Sequence, residues 1–317
     1  MKLKQLMKHP SWPWIKRVVG FVFLAAVVAL LVRFASTVDW GKVKESVLEL
    51  PRGVLLTAFL FAAVSHLIYS LLDLVGRHYT GHKLSKRKVM QVSFTSYAFN
   101  LNLGSLVGGI GFRYRLYSRL GLRPGQITRI VTMSMITNWI GYILLAGIVF
   151  SFFPMELPPN WKMDSEELRL LGVVLLGVSV AYFGVATFAK TRTFKIRGFE
   201  MIIPSLRMAL AQHGISCIHW MTMAAVPWAL LQGAVDYPTC LAVLMIAAIA
   251  GVILHIPAGL GVIEAVFVAM LSHKVPEHQL IGALLAYRAL FYLLPLACGA
   301  LMYLKVEVKA RKQPAAA

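Results

Sequence analysis

Eight apolar runs order this chain, at residues 18–34, 54–75, 89–112, 127–153, 168–189, 208–234, 239–272 and 279–304. An α-helix needs about 20 apolar residues to cross a hydrocarbon core, and most of these runs are near that length. The segments between them are short and polar, too short for a soluble domain. The pattern predicts an all-α polytopic membrane protein with one integral domain over 1–317. Between the first two runs, "STVDWGKVKESVLELPRG" places Val43, Val47, Leu48 and Leu50 on one face of a short amphipathic helix. The seventh run does not fit a simple crossing. Its 34 residues would make a helix of roughly 50 Å, against a core of about 30 Å. Two half-helices with a turn at mid-depth fit it better.

Composition supports the membrane assignment. Hydrophobic residues make up 58% of the chain and the mean hydropathy is +0.71, whereas soluble domains hold about 45–50% apolar residues. The net charge is +19, from 32 Lys and Arg against 13 Asp and Glu. Clustered on a soluble domain, such an excess would suggest nucleic acid. Here it sits in short loops, so no nucleic-acid partner is expected, and the basic surface should face anionic lipid headgroups. The cysteines, Cys217, Cys240 and Cys298, lie in apolar runs without CxxC spacing and read as small buried hydrophobes. The basic, then apolar, N-terminus has no small-x-small cleavage site, so a retained first helix is expected.

The placement of charge refines the topology. Segments 1–17, 76–88 and 113–129 each hold five basic residues and no acid; 190–207 holds five with only Glu200, and the tail from 305 holds four. The loop at 154–167 instead carries Glu156, Asp164, Glu166 and Glu167 against Lys162, and 235–238 carries only Asp236. Basic loops stay in the cytoplasm. The third run then has two cytoplasmic flanks and the seventh has two outer ones. Both are predicted as re-entrant hairpins. The expected architecture is six crossings plus two hairpins, with cytoplasmic basic termini at 1–17 and 305–317. Helix, hairpin, helix occurs over 54–153 and again, inverted, over 208–304. Inverted repeats of this kind put transporter sites where broken helices meet. The hairpin turns fall near "NLNLGSLVGGIG" (100–111) and "HIPAGLGVIEA" (255–265).

Several residues there are costly in a membrane. Gly108, Gly109 and Gly111 interrupt the first hairpin; Pro257, Gly259 and Gly261 interrupt the second. Each either frees backbone amides for an anion or only permits close helix packing. Asp73 and Glu264 are the two acids within apolar runs. Asp73 is four residues from Arg77, which suggests a local ion pair. Glu264 falls on the first turn of a half-helix, as a cap or as a functional carboxylate. Arg288 lies about ten residues into the last crossing. Glu264 is its natural partner, in a static clamp, a substrate contact or both. Arg113 follows the first glycines, placed either for a phosphate or as an interfacial anchor. Asn100 and Asn102 line the same cavity or bond between helices. His255 could relay a proton to Glu264 or simply pack. His66, His213 and His219 show no metal-binding spacing, so no metal or cofactor is expected. No nucleophile–base pair or P-loop is present, which argues against an enzyme.

"NLNLGSLVGGIGFRYRLYSRLGL", "HIPAGLGVIEAVF" and "ALLAYRALFYLLPL" together resemble the lysylphosphatidylglycerol synthase transmembrane-domain family. In that family the membrane domain is the flippase half, and a separate cytoplasmic domain attaches the amino acid. Pro257, Gly259, Gly261, Glu264, Tyr287 and Arg288 match its second-half motifs; Gly108, Gly109 and Arg113 match the first. The resemblance implies a lipid-handling domain of the bacterial inner membrane, here expected without the aminoacyltransferase. A flippase or scramblase-like transporter of an anionic or aminoacylated phospholipid is the first expectation. A non-transporting lipid-binding partner of a lipid-modifying enzyme is the second. An ion-coupled small-solute transporter is the third.

Overall fold

A computed structural model describes residues 48–153, 164–189, 192–196, 199–254 and 261–312, with isolated positions at 22–45, 155 and 157. The chain divides into two units, Met1–Gly41 and Lys42–Ala317. The first expected crossing, 18–34, falls almost wholly outside the described residues, as do Val43, Val47, His255, Pro257 and Gly259. The larger unit is helical, apart from one short antiparallel pair, Thr193–Ile196 with Phe199–Ile202. At four residues each, those strands are too short to stand out between two apolar runs.

Among the described residues, five helical spans are long and apolar enough to cross a membrane: Arg52–Thr80, Pro124–Phe152, Ser165–Phe188, Tyr237–Leu254 and Glu277–Val306. The fourth is the first arm of the expected seventh-run hairpin, so that arm alone could reach across. Leu206–Leu230 is 25 residues long but is not among the five. Gln212, His213, Ser216 and His219 lower its hydropathy, and all four are buried against neighbouring helices. A helix among other helices can carry such groups where one facing lipid cannot.

The third apolar run does form a hairpin. Its first arm, Lys86–Gly104, starts at Ser85, whose hydroxyl accepts from the Lys88 amide. The chain breaks at Gly104, with φ 81° and ψ 168°, a left-handed conformation that glycine adopts without penalty. It returns through a π-helical stretch, Ser105–Gly111, and the helix Phe112–Arg119. Phe99 and Phe112 stack at 3.9 Å across the two arms. The turn is therefore Gly104, not the Gly108–Gly111 cluster expected from the sequence. Gly111 is helical, at φ −58°. Gly108 lies on the returning arm, where a Cβ would sit 2.3 Å from the Phe99 carbonyl. Gly108→Ala should therefore overpack the hairpin and cost about 1–3 kcal/mol. Gly177→Ala, in open space, is the control. Thermal melting of both variants in detergent checks this; equal melting temperatures would contradict the close approach.

The seventh run is likewise broken. Tyr237–Leu254 and Val262–Leu271 are separate helices that pack on each other. Gly261, at φ 78°, starts the second. Leu206–Leu230 packs against both Arg52–Ser70 and Pro124–Phe152. Ser216 supports that packing by donating to the Asn138 carbonyl at 2.8 Å. Of the three cysteines only Cys240 is fully buried; Cys298 is exposed.

Candidate functional site

A cavity of about 530 Å³ lies where the two broken segments meet the long helices. The first hairpin contributes Tyr97, Asn100, Leu101 and its turn, from Leu103 to Leu106. The second contributes Leu244, Ala247, Ala248, Gly251 and Val252 from one arm and Ile263 from the other. Tyr69, Asn138, Trp139, His219, Trp220 and Tyr292 close the remaining walls. No Asp, Glu, Lys or Arg is among the described residues that line it.

Rings dominate the polar side of this cavity, and their polar edges are held. Tyr69 and Tyr97 stack at 3.5 Å, and His219 stands edge-on to both, at 5.0 and 5.5 Å. His219 Nδ1 is 3.1 Å from the Ser65 carbonyl. The Ser65 hydroxyl is 3.0 Å from the same nitrogen, and the Tyr97 hydroxyl is 3.2 Å from Nε2, so each ring nitrogen has a partner that can accept a hydrogen from it. Trp220 donates to the Asn138 carbonyl at 3.2 Å. The Asn138 side-chain oxygen is buried without a hydrogen-bond partner.

Two ion pairs stand one ring behind the walls. Arg113 holds Asp73: Nε donates to both carboxylate oxygens, at 3.1 and 3.0 Å, and Nη2 to Oδ1 at 3.0 Å. Arg113 Nη1 also donates to the Gly109 carbonyl, and Tyr117 donates to Asp73 Oδ2 at 2.9 Å. The pair is buried, with side-chain exposures of 4% and 0%. Asp73 thus pairs across the hairpin and not with Arg77, whose Nε donates to the Leu84 carbonyl. Glu264, on the first turn of Val262–Leu271, receives Arg288 Nε at Oε1 and Nη2 at Oε2, the latter at 2.8 Å. Arg288 opens a second π-helical stretch, Arg288–Leu293. Its guanidinium carbon is 5.5 Å from the Tyr292 ring centroid, and that of Arg113 is 5.9 Å from the Tyr69 ring. Both rings line the cavity.

Among the expected site residues, the structure therefore puts Asn100 on the cavity wall and joins Glu264 to Arg288. Arg113, Glu264 and Arg288 do not line the cavity. Tyr287 is fully buried and stacks on Phe291 at 5.3 Å, away from the wall. Asn102 bonds between elements, donating to the Ala98 and Tyr292 carbonyls. Gly108 and Gly109 pack within the first hairpin. Among the described residues, no group of three or more His, Cys, Asp or Glu could hold a metal ion. The sequence argument missed Tyr69, Tyr97, His219, Trp139, Trp220 and Tyr292. Aromatic residues at helical spacing resemble ordinary core, and only the fold brings these six together.

A family profile described as "Lysylphosphatidylglycerol synthase TM region" matches residues 17–299. The chain belongs to the lysylphosphatidylglycerol synthase transmembrane-region family. It is a multi-pass membrane protein. Within that family it is 49% identical over 305 residues to "Inner membrane protein YbhN" of Escherichia coli, covering 96% of each chain. It is 28% identical over 265 residues to "Uncharacterized protein slr0712" of Synechocystis, covering 83% of this chain and 82% of that one. It is 24% identical over 303 residues to "Phosphatidylglycerol lysyltransferase" of Staphylococcus aureus, covering 92% of this chain but 34% of that protein.

Proposed function

We propose that this protein binds a phospholipid headgroup in the ring-lined cavity and passes the lipid between leaflets, as a flippase or scramblase-like transporter. The observation that carries this reading is the cavity itself, walled by the turn of one hairpin and both arms of the other. Sites that hold small ligands are mostly apolar with a few placed polar groups, and this one has that character. The membrane region it shares with a phosphatidylglycerol lysyltransferase favours a lipid over a soluble solute, with an anionic or aminoacylated headgroup.

In this reading both hairpins are re-entrant, one from each side, between crossings of the 54–153 and 208–304 repeats. The basic loops and both termini face the cytoplasm of a bacterial cell, with the inner membrane as the host bilayer. Rocking of one repeat against the other alternates access. Arg113 and Arg288, each held by a carboxylate, shape the walls through Tyr69 and Tyr292. The chain performs no covalent step on the lipid; a lipid-modifying enzyme is its natural partner. The tight hold of both hairpins by ion pairs favours a second reading, a lipid-binding protein without flux.

Proteoliposomes carrying head-labelled phosphatidylglycerol, lysyl-phosphatidylglycerol or phosphatidylethanolamine separate the two. Transport predicts that label becomes accessible from the opposite leaflet faster than in protein-free vesicles, with a preference among the headgroups. Saturable binding without accelerated exchange would support the second reading and exclude the first.

A further inference from the structure

Among the described residues that line it, the cavity has no fixed cation to meet a lipid phosphate. A phosphodiester carries one negative charge across the whole physiological pH range, and an unpaired charge in a low-dielectric site is costly. The two guanidiniums nearest the cavity are neutralised by Asp73 and Glu264. Among the described lining residues, His219 is the one side chain that becomes a cation by taking up a proton.

We propose that His219 is a proton site linked to headgroup binding, so that each lipid phosphate enters the cavity with one proton. This rests on the cavity being a phospholipid-headgroup site, and it names the missing counter-charge. Both nitrogens have an acceptor within reach, the Ser65 carbonyl at Nδ1 and the Tyr97 oxygen at Nε2, and in the neutral tautomer that carries its hydrogen on Nδ1 the Tyr97 hydroxyl donates to Nε2. A proton taken from water onto Nε2 makes the imidazolium a donor on both sides. The Tyr97 oxygen then accepts from Nε2–H, and the phenol hydrogen turns away from the histidine. One proton thus supplies the wall with a positive charge and frees a donor for a phosphate oxygen. When the lipid leaves, the proton returns to water and Tyr97 donates to Nε2 again.

The groups that face His219 come from several elements. Arg52–Ser70 presents Ser65, His66 and Tyr69, and the first hairpin presents Tyr97. His66 is itself tied through Nδ1 to the Ala62 carbonyl. Pro124–Phe152 and Tyr237–Leu254 bring no ionisable side chain to the cavity, and Arg288–Leu293 brings Tyr292. Among the described lining residues there is no carboxylate to hold a proton on the ring, so a bound phosphate would be its counter-charge. The linkage also provides a route to drive: a proton gradient would bias the direction of lipid movement.

The test is binding of fluorescent phosphatidylglycerol to the purified full chain in neutral detergent, from pH 5.5 to 8.5. Diacylglycerol of the same chains and soluble glycerophosphoglycerol serve as comparison ligands. One linked proton predicts that affinity for phosphatidylglycerol falls about tenfold per pH unit, while diacylglycerol shows no slope. In weakly buffered solution, one proton should be taken up per lipid bound, a measurement that needs no variant. His219→Gln should bind weakly with no pH slope, and Tyr97→Phe weakly with the slope retained. Binding by the wild type that is independent of pH, or an unchanged slope in His219→Gln, would overturn the proton site while leaving the lipid cavity standing. Equal affinity for glycerophosphoglycerol would show a soluble phosphodiester site with the same proton. No saturable binding at any pH would overturn the cavity assignment and the proton site with it.

Discussion

Asp73→Asn is expected to destabilise the protein by about 3–5 kcal/mol, the cost of leaving a buried charge without its partner. Arg113 is almost fully enclosed and its guanidinium has been arranged around one carboxylate. An asparagine offers one acceptor oxygen and no charge. Arg113 cannot shed its own charge, because a guanidinium stays protonated. The loss would not be local. Asp73 sits in the first long span, Arg113 and Tyr117 on the returning arm of the hairpin, and Ser134 in the next span, where it accepts from Arg113 Nη2. One carboxylate therefore organises three elements. Arg113→Ala should cost a similar amount, leaving Asp73 stranded. Asp73→Leu with Arg113→Met removes both charges and should recover much of the stability, since a buried pair is often no better than apolar residues of similar volume. Melting temperatures in detergent, with Arg77→Ala as a near-neutral control, give the comparison. An unaltered Asp73→Asn variant, or a double variant worse than the sum of the singles, would refute this account.

That pair also marks where sequence reasoning stopped. Glu264 and Arg288 could be matched from the sequence, as a carboxylate and a guanidinium stranded in neighbouring apolar runs. Asp73 had a closer candidate in Arg77, one helical turn away. Its actual partner lies 40 residues on and reaches it only because the chain reverses at Gly104. That the third and seventh runs break into separate helices was legible from run length and from their glycines, which are properties of a whole segment. The reversal point was not. Gly104 is one glycine beside a richer cluster, and only the backbone separates a residue at positive φ from one that lets two arms touch. The site was misread in the same way. Charged residues attract attention in an apolar sequence, yet here the charges neutralise each other behind the wall. The wall is built from tyrosines, tryptophans and a histidine whose spacing looks like packing.

Glu264→Gln and Arg288→Gln are expected to leave a folded protein that has lost most lipid exchange. The contrast with the first pair lies in exposure and in what each pair grips. The Glu264 and Arg288 side chains keep 20% and 9% of their surface accessible, against 0% and 4% for Asp73 and Arg113, so this pair is the less enclosed of the two and losing one partner should cost less stability. The pair ties the second arm of the second hairpin to the start of Arg288–Leu293. That stretch is π-helical, a geometry often found at functional sites, and it carries Tyr292 into the cavity wall. On the proposed function, movement of the hairpin would thereby be coupled to the cavity wall. Breaking the pair should uncouple them and slow lipid exchange by tenfold or more, equivalent to about 1.4 kcal/mol in the barrier. The exchanged pair, Glu264→Arg with Arg288→Glu, restores the attraction in reverse and should recover exchange relative to either single charge reversal. A double-mutant cycle on exchange rate, alongside melting temperature, separates coupling from folding. Wild-type exchange in both Gln variants would make the pair a clamp alone; exchange lost in proportion to stability would mean that the hairpin had simply come apart.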